Sequence, residues 1–160
     1  MSKKIALVAA TQGDFGGIEA FVTTVAKFLS DSQGYDARIV FKRVKGCHLD
    51  KLEKKLGGNA ECPVYFVERN SRELRDHVRW ADLLHVQNLC PDAILPAYFH
   101  RRPILATIHN YQRRGLSPHR VAWATCNSLV RRRFYNSKFV WKTWEPGGPK
   151  PNSECVPTVC

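Results

Sequence analysis

The chain of 160 residues is 44% hydrophobic and 24% charged, enough apolar material to bury one core in a single domain and too much for a disordered basic tail. No run approaches the roughly 20 apolar residues of a membrane-spanning helix, and the first residues lack a secretory cleavage pattern, so a cytoplasmic protein is expected. The net charge of +11 is uneven, because residues 101–160 hold 11 basic and 2 acidic side chains, and such an excess suits phosphates, nucleic acid or anionic lipid headgroups.

In chain order, Lys4–Ala10 is a continuous apolar run, as in a parallel strand covered on both faces. After the loop Thr11–Gly17, Ile18, Phe21, Val22, Val25, Ala26 and Leu29 recur at helical spacing, and that helix ends near Asp31 before Gly34. Ala37–Phe41 is the second strand. Leu49, Leu52 and Leu56 mark a short helix that Gly57 and Gly58 terminate. Val64–Val67 is a third strand, Ser71 caps a helix reaching Trp80, and Leu83–Val86 is a fourth strand. Pro91 suits the first turn of a helix to about His100, and Ile104–Ile108 is a fifth strand. Beyond residue 118 two readings stay open for the sixth strand, Val121–Cys126 or Arg133–Asn136, the latter followed by a helix over Ser137–Trp144. A turn-rich stretch, Glu145–Ser153, leads to a strand over Cys155–Val159.

This alternation implies an α/β, Rossmann-like, mostly parallel sheet with helices on both faces, joined by right-handed crossovers. The six cysteines have no metal-ligand or disulfide-framework spacing and read as reduced, partly buried side chains, so no metal is expected.

In such folds ligands bind outside the carboxyl ends of the strands. Thr11–Glu19 joins the first strand to the first helix there, and Gly16 and Gly17 would let an anion approach backbone N–H groups at a helix N-terminus. The turn is not a dinucleotide fingerprint, and the second strand ends in Phe41-Lys42-Arg43 without an acid for a ribose, so NAD is disfavoured. Two further strand ends, Leu84-His85-Val86-Gln87-Asn88 and Thr107-Ile108-His109-Asn110-Tyr111, meet the same crevice. His109 is the better histidine, since His85 lies within the apolar run.

Gly16-Gly17-Ile18-Glu19, Ala81–Asn88, Pro103–Tyr111, Asn136–Val140 and Val156–Val159 come in an order and at spacings that resemble the N-terminal half of a family 4 retaining glycosyltransferase of GT-B fold. That resemblance implies transfer of a sugar from a nucleotide-sugar donor to a glycan or lipid-linked acceptor, as in polysaccharide biosynthesis, with no cofactor beyond the donor. It implies that Gly16 and Gly17 contact the donor diphosphate, that His109 is catalytic, and that Asn88 and Asn110 contact acceptor or sugar. The glutamate pair of the family's second half is not found, because Gly57, Gly58 and Asn59 break any helix between Glu53 and Glu61. The second GT-B domain is therefore expected to be absent from residues 1–160, leaving the chain inactive without a separate C-terminal domain. Peripheral contact with an anionic membrane is a further expectation. The alternative is a basic nucleic-acid or anionic-ligand module, in which Phe134, Tyr135, Trp141 and Trp144 would stack bases among the cations.

Overall fold

The computed structural model describes residues 2–56, 62–112 and 117–157. Along the chain run β1 (Lys3–Thr11), α1 (Gly17–Asp31), β2 (Tyr35–Arg43), α2 (Asp50–Leu56), β3 (Val64–Val67), α3 (Arg72–Trp80), β4 (Leu83–Gln87), α4 (Pro91–Phe99), β5 (Ile104–Ile108), α5 (Pro118–Leu129), β6 (Arg132–Tyr135), α6 (Lys138–Trp144) and β7 (Ser153–Cys155). The strands form one sheet in the order β3-β2-β1-β4-β5-β6-β7, and every pairing is parallel.

The central strand β1 is apolar at successive positions because both of its faces are covered. Ile5, Leu7 and Ala9 point to α1 and α2, where they pack with Val22, Ala26, Leu52 and Leu56. Ala6 and Val8 point to the opposite layer, where Leu74, Val78, Ile94, Cys126 and Val140 belong to α3 through α6. The helices thus change face where the chain turns from the β1–β3 side of the sheet to the β4–β7 side. Ser71 caps α3 as its sequence position suggests, its hydroxyl accepting from Leu74 N at 3.1 Å.

The largest departures lie after residue 118. Val121–Cys126 is helical, inside α5, because Ser117 caps that helix and Cys126 closes against the sheet. The sixth strand is Arg132–Tyr135, the second of the two open readings shifted by one residue. The seventh occupies Ser153–Cys155 instead of Cys155–Val159, and residues 158–160 lie outside the described segments, as do Gly57, Gly58 and Glu61. The late basic surface also loses a member. Arg133 is only 4% exposed and is enclosed by Asn127, Asn152 and Ser153, which accept from its guanidinium.

The turn-rich stretch is ordered by one carboxylate. Glu145, 5% exposed, accepts from Tyr135 Oη at 3.0 Å, Trp141 Nε1 at 2.9 Å, Ser153 Oγ at 2.6 Å and Lys150 N at 2.9 Å. Burial pushes this carboxyl up, and the four hydrogen bonds outweigh it and hold the group below its ordinary value. Replacing the carboxylate with an amide keeps the shape and turns an NH2 toward groups that donate. Glu145→Gln should therefore cost about 2 kcal/mol, read as a lower urea midpoint with unchanged slope.

Candidate functional site

Because every strand runs the same way, the loops after β1 through β6 emerge at one edge. A cleft of about 960 Å3 opens there, lined among others by Gln12 and Ile18 after β1, Lys42 at the end of β2, Arg69 and Asn70 after β3, Asn88 to Asp92 after β4, and Asn110, Arg120 and Trp123 around α5. It straddles β1 and β4, the point where the strand order reverses and where open α/β sheets bind ligands.

The turn into α1 is built around a carboxylate. Glu19, 6% exposed, accepts from Thr11 Oγ1 at 2.7 Å and from Gly16 N at 3.1 Å, and Gly13 N donates back to Thr11 Oγ1 at 3.2 Å. The glycine this backbone requires is Gly13, with φ +96°, where a β-carbon would lie 2.0 Å from the His48 carbonyl oxygen. Gly16 is extended, at φ −111°, and a β-carbon on Gly17 would meet nothing within 4 Å. Neither is demanded by backbone conformation. The Gly16 N–H is already committed to Glu19, so the donors the turn leaves open are those of Gly17 and Ile18, which have no partner among the described residues.

At the same edge, the two strand-end motifs form one polar chain beneath the surface, in which Gln87 lines the cleft while His109, His85 and Thr107 do not. His109 Nε2 lies 2.8 Å from Gln87 Oε1, the Gln87 amide nitrogen lies 3.5 Å from His85 Nε2, and Thr107 Oγ1 lies 2.8 Å from the same His85 nitrogen. An amide oxygen only accepts, so the network assigns the His109 proton to Nε2 and leaves Nδ1 as an acceptor. Phe21 of α1 packs edge-on against both rings, with centroids 6.3 Å from His85 and 5.6 Å from His109. Thus α1 and His109 sit together at the same edge. Burial lowers the His109 pKa, and burial, with a smaller contribution from His109, pushes His85 down to about 4.

The asparagines occupy different positions in this arrangement. Asn88 adopts φ +57°, and its Oδ1 accepts from His109 N at 2.9 Å and from Asn110 N at 3.1 Å. Its carbonyl is a clamp on the loop that carries His109, and the residue lines the cleft. Asn110 is exposed on the rim and its carbonyl accepts from Trp144 Nε1 at 2.8 Å. Arg113 and Arg114 lie outside the described residues.

Three participants were not singled out from the sequence. Gln87, 2% exposed, orients His109. Lys42 and Asp92 form an ion pair of 2.6 Å with side chains 5% and 11% exposed, fastening β2 to the first turn of α4. Gln87 stood in a motif already noted and Lys42 at a strand end, but nothing in the sequence pairs residues 42 and 92. Cys90 also lines the cleft. Burial raises its thiol pKa, which makes it a poor nucleophile near neutrality. No metal-ligating cluster occurs among the described residues.

No protein-family model matches this chain, and no curated protein matches it. Solved structures do. A UDP-N-acetylglucosamine 2-epimerase superposes with TM-score 0.64 at 13% identity, covering 96% of this chain and 47% of its own. The lipopolysaccharide outer core galactosyltransferase WaaB gives 0.58 at 15% identity, covering 96% and 44%. UGT2 of Phytolacca americana, in complex with UDP-2-fluoroglucose and pterostilbene, gives 0.59 at 9% identity, covering 100% and 54%. The chain spans about half the length of these proteins. At such identities the similarity establishes the fold, a Rossmann-like half of GT-B type.

Because His85 stays neutral when folded and has an ordinary value of 6.5 when unfolded, the unfolded chain takes up more protons below pH 6.5. Stability is therefore full above that pH and is lost as pH falls toward 4. The loss from His85 should reach about 3 kcal/mol, and urea titrations across this range should show a steeper fall in the wild type than in His85→Asn, which keeps the smaller losses from the lowered His77 and His109.

Proposed function

We propose that this chain is the acceptor-side half of a nucleotide-sugar-dependent glycosyltransferase, of the retaining family 4 kind, working with a second Rossmann-like unit that closes over the cleft. The observation that carries the reading is the convergence at one sheet edge of open helix N-terminal donors, a cationic cleft and a histidine of assigned tautomer. The fold neighbours add support, since one holds a UDP-sugar analogue together with a second small molecule and another is a galactosyltransferase.

Departure of a nucleoside diphosphate develops negative charge that fixed donors and cations must stabilise. In this reading the N–H groups of Gly17 and Ile18 contribute from the α1 turn, and the bare face of Gly17 admits the phosphate oxygens, while the side of Gly16 a β-carbon would take faces the Glu19 carboxylate. Arg69 and Arg120 supply positive charge across the cleft; Lys42 is neutralised by Asp92 and sets the position of α4. His109, with Nε2–H held by Gln87, presents Nδ1 as acceptor to a sugar hydroxyl, while Asn88 fixes its backbone and Asn110 offers a rim contact. The acceptor, a glycan or lipid-linked sugar, takes the rest of the cleft. The nucleic-acid reading is less favoured, since Arg133 is enclosed, Tyr135 is buried, and Trp141 stacks on Tyr135 at 5.9 Å instead of facing solvent.

Calorimetric titration of residues 1–160 with a uridine diphosphate sugar should give a Kd of about 1 mM, the affinity expected of one Rossmann-like unit acting alone. Gly17→Val should remove that binding without lowering the melting temperature, because its side chain meets open space. No heat at millimolar donor, or wild-type binding by Gly17→Val, would count against the reading. Transfer should be seen only when a second half is supplied, with the product anomer reported by NMR.

A further inference from the structure

We propose that the solvent face of α4, together with the arginines at its C-terminal end, docks on an anionic phospholipid surface. Helix α4 buries Ala93, Ile94 and Ala97 against the sheet, yet its outer face is apolar too. Leu95, Tyr98 and Phe99, at helical spacing, are 38%, 53% and 78% exposed. The one charged residue of the helix, Asp92, is folded inward onto Lys42. A surface helix ordinarily carries charge on its solvent side, and this one carries none.

At the end of that face lies a concavity of about 490 Å3 lined by Tyr98, Phe99, Arg101, Arg102, Pro103 and Arg131. No carboxylate lines it. Arg102 is held by Asp82 at 3.4 Å and by the Arg79 carbonyl, whereas Arg101 and Arg131 have no acidic partner among the described residues. Arg101 stands just past the helix end with φ +55°, in the left-handed conformation that, where a helix ends this way, glycine usually fills. An arginine there bears conformational strain while its side chain has no hydrogen-bond or ion-pair partner among the described residues, as happens where a residue serves an outside contact. Unpaired guanidinium groups beside exposed aromatic rings match the chemistry of an anionic interface, where rings sit at the headgroup level and cations meet phosphates.

The concavity lies at the starts of β5 and β6, the opposite sheet edge from the cleft, so a partner closing the cleft leaves it free. The inference does not depend on the proposed function.

The test is co-sedimentation of the full chain with phosphatidylcholine vesicles, with and without phosphatidylglycerol, for the wild type, Phe99→Ser and Arg101→Gly combined with Arg131→Ser. The wild type should sediment with the mixed vesicles and not with the neutral ones. The double variant should partition about 25-fold more weakly, roughly fivefold for each arginine, and Phe99→Ser several-fold more weakly. Arg101→Gly alone should melt no lower than the wild type, because glycine suits that backbone, so a loss of partitioning would belong to the surface and not to the fold. Equal sedimentation with both vesicle types, wild-type partitioning by the double variant, or binding to soluble polyglutamate with none to vesicles would each overturn the proposal.

Discussion

The constraint on which this molecule depends is the common direction of its strands. A parallel pair cannot be closed by a tight turn and needs a crossover, so each strand is followed by a helix and both faces of the sheet are covered. The same direction delivers the loops after β1, β2, β3, β4 and β5 to one edge. Residues separated by up to about a hundred positions, such as Ile18 and Trp123, thereby line one cleft. The cleft is a consequence of the topology, and its chemistry depends on which residues the loops carry.

Two features fix that chemistry. One is the capping of α1, where the Glu19 carboxylate satisfies Thr11 and Gly16 and sets the entry angle of the helix. The other is the buried run from Thr107 through His85 and Gln87 to His109, which ties β4 to β5 with side chains as well as backbone. Buried polar groups are costly unless each finds a partner. The network therefore fixes the tautomer of His109 while also holding the sheet edge rigid. Phe21 joins the two features, since it belongs to α1 and packs on both histidine rings.

The basic character of the last sixty residues divides into unlike parts. Arg133 is an internal clamp, with its guanidinium enclosed between α5 and the entry to β7. Arg102 fastens the loop before β5 to Asp82. Arg101, Arg131 and Arg132 stay exposed without a carboxylate partner among the described residues. Net charge alone could not separate these, because it counts a buried arginine and a solvated one alike.

The sequence by itself determined the alternation of elements, from β1 to β5 within two residues at most boundaries, because apolar periodicity and caps such as Ser71 and Pro91 are local signals. It also placed Gly16, Gly17, Asn88, His109 and Asn110 at strand ends, hence at one edge. After residue 118 the signal failed, since Val121–Cys126 is short and apolar enough to suit either a strand or a helix, and the Ser117 cap together with packing against the sheet decided for the helix. Only the tertiary structure paired Lys42 with Asp92, oriented His109 through Gln87, made Gly13 the indispensable glycine of the α1 turn, and enclosed Arg133. Most of these are contacts between strands or loops distant in the chain, and even the Arg133 enclosure needs Asn152 brought beside β6 by its pairing with β7, so they exist only once the sheet order is set.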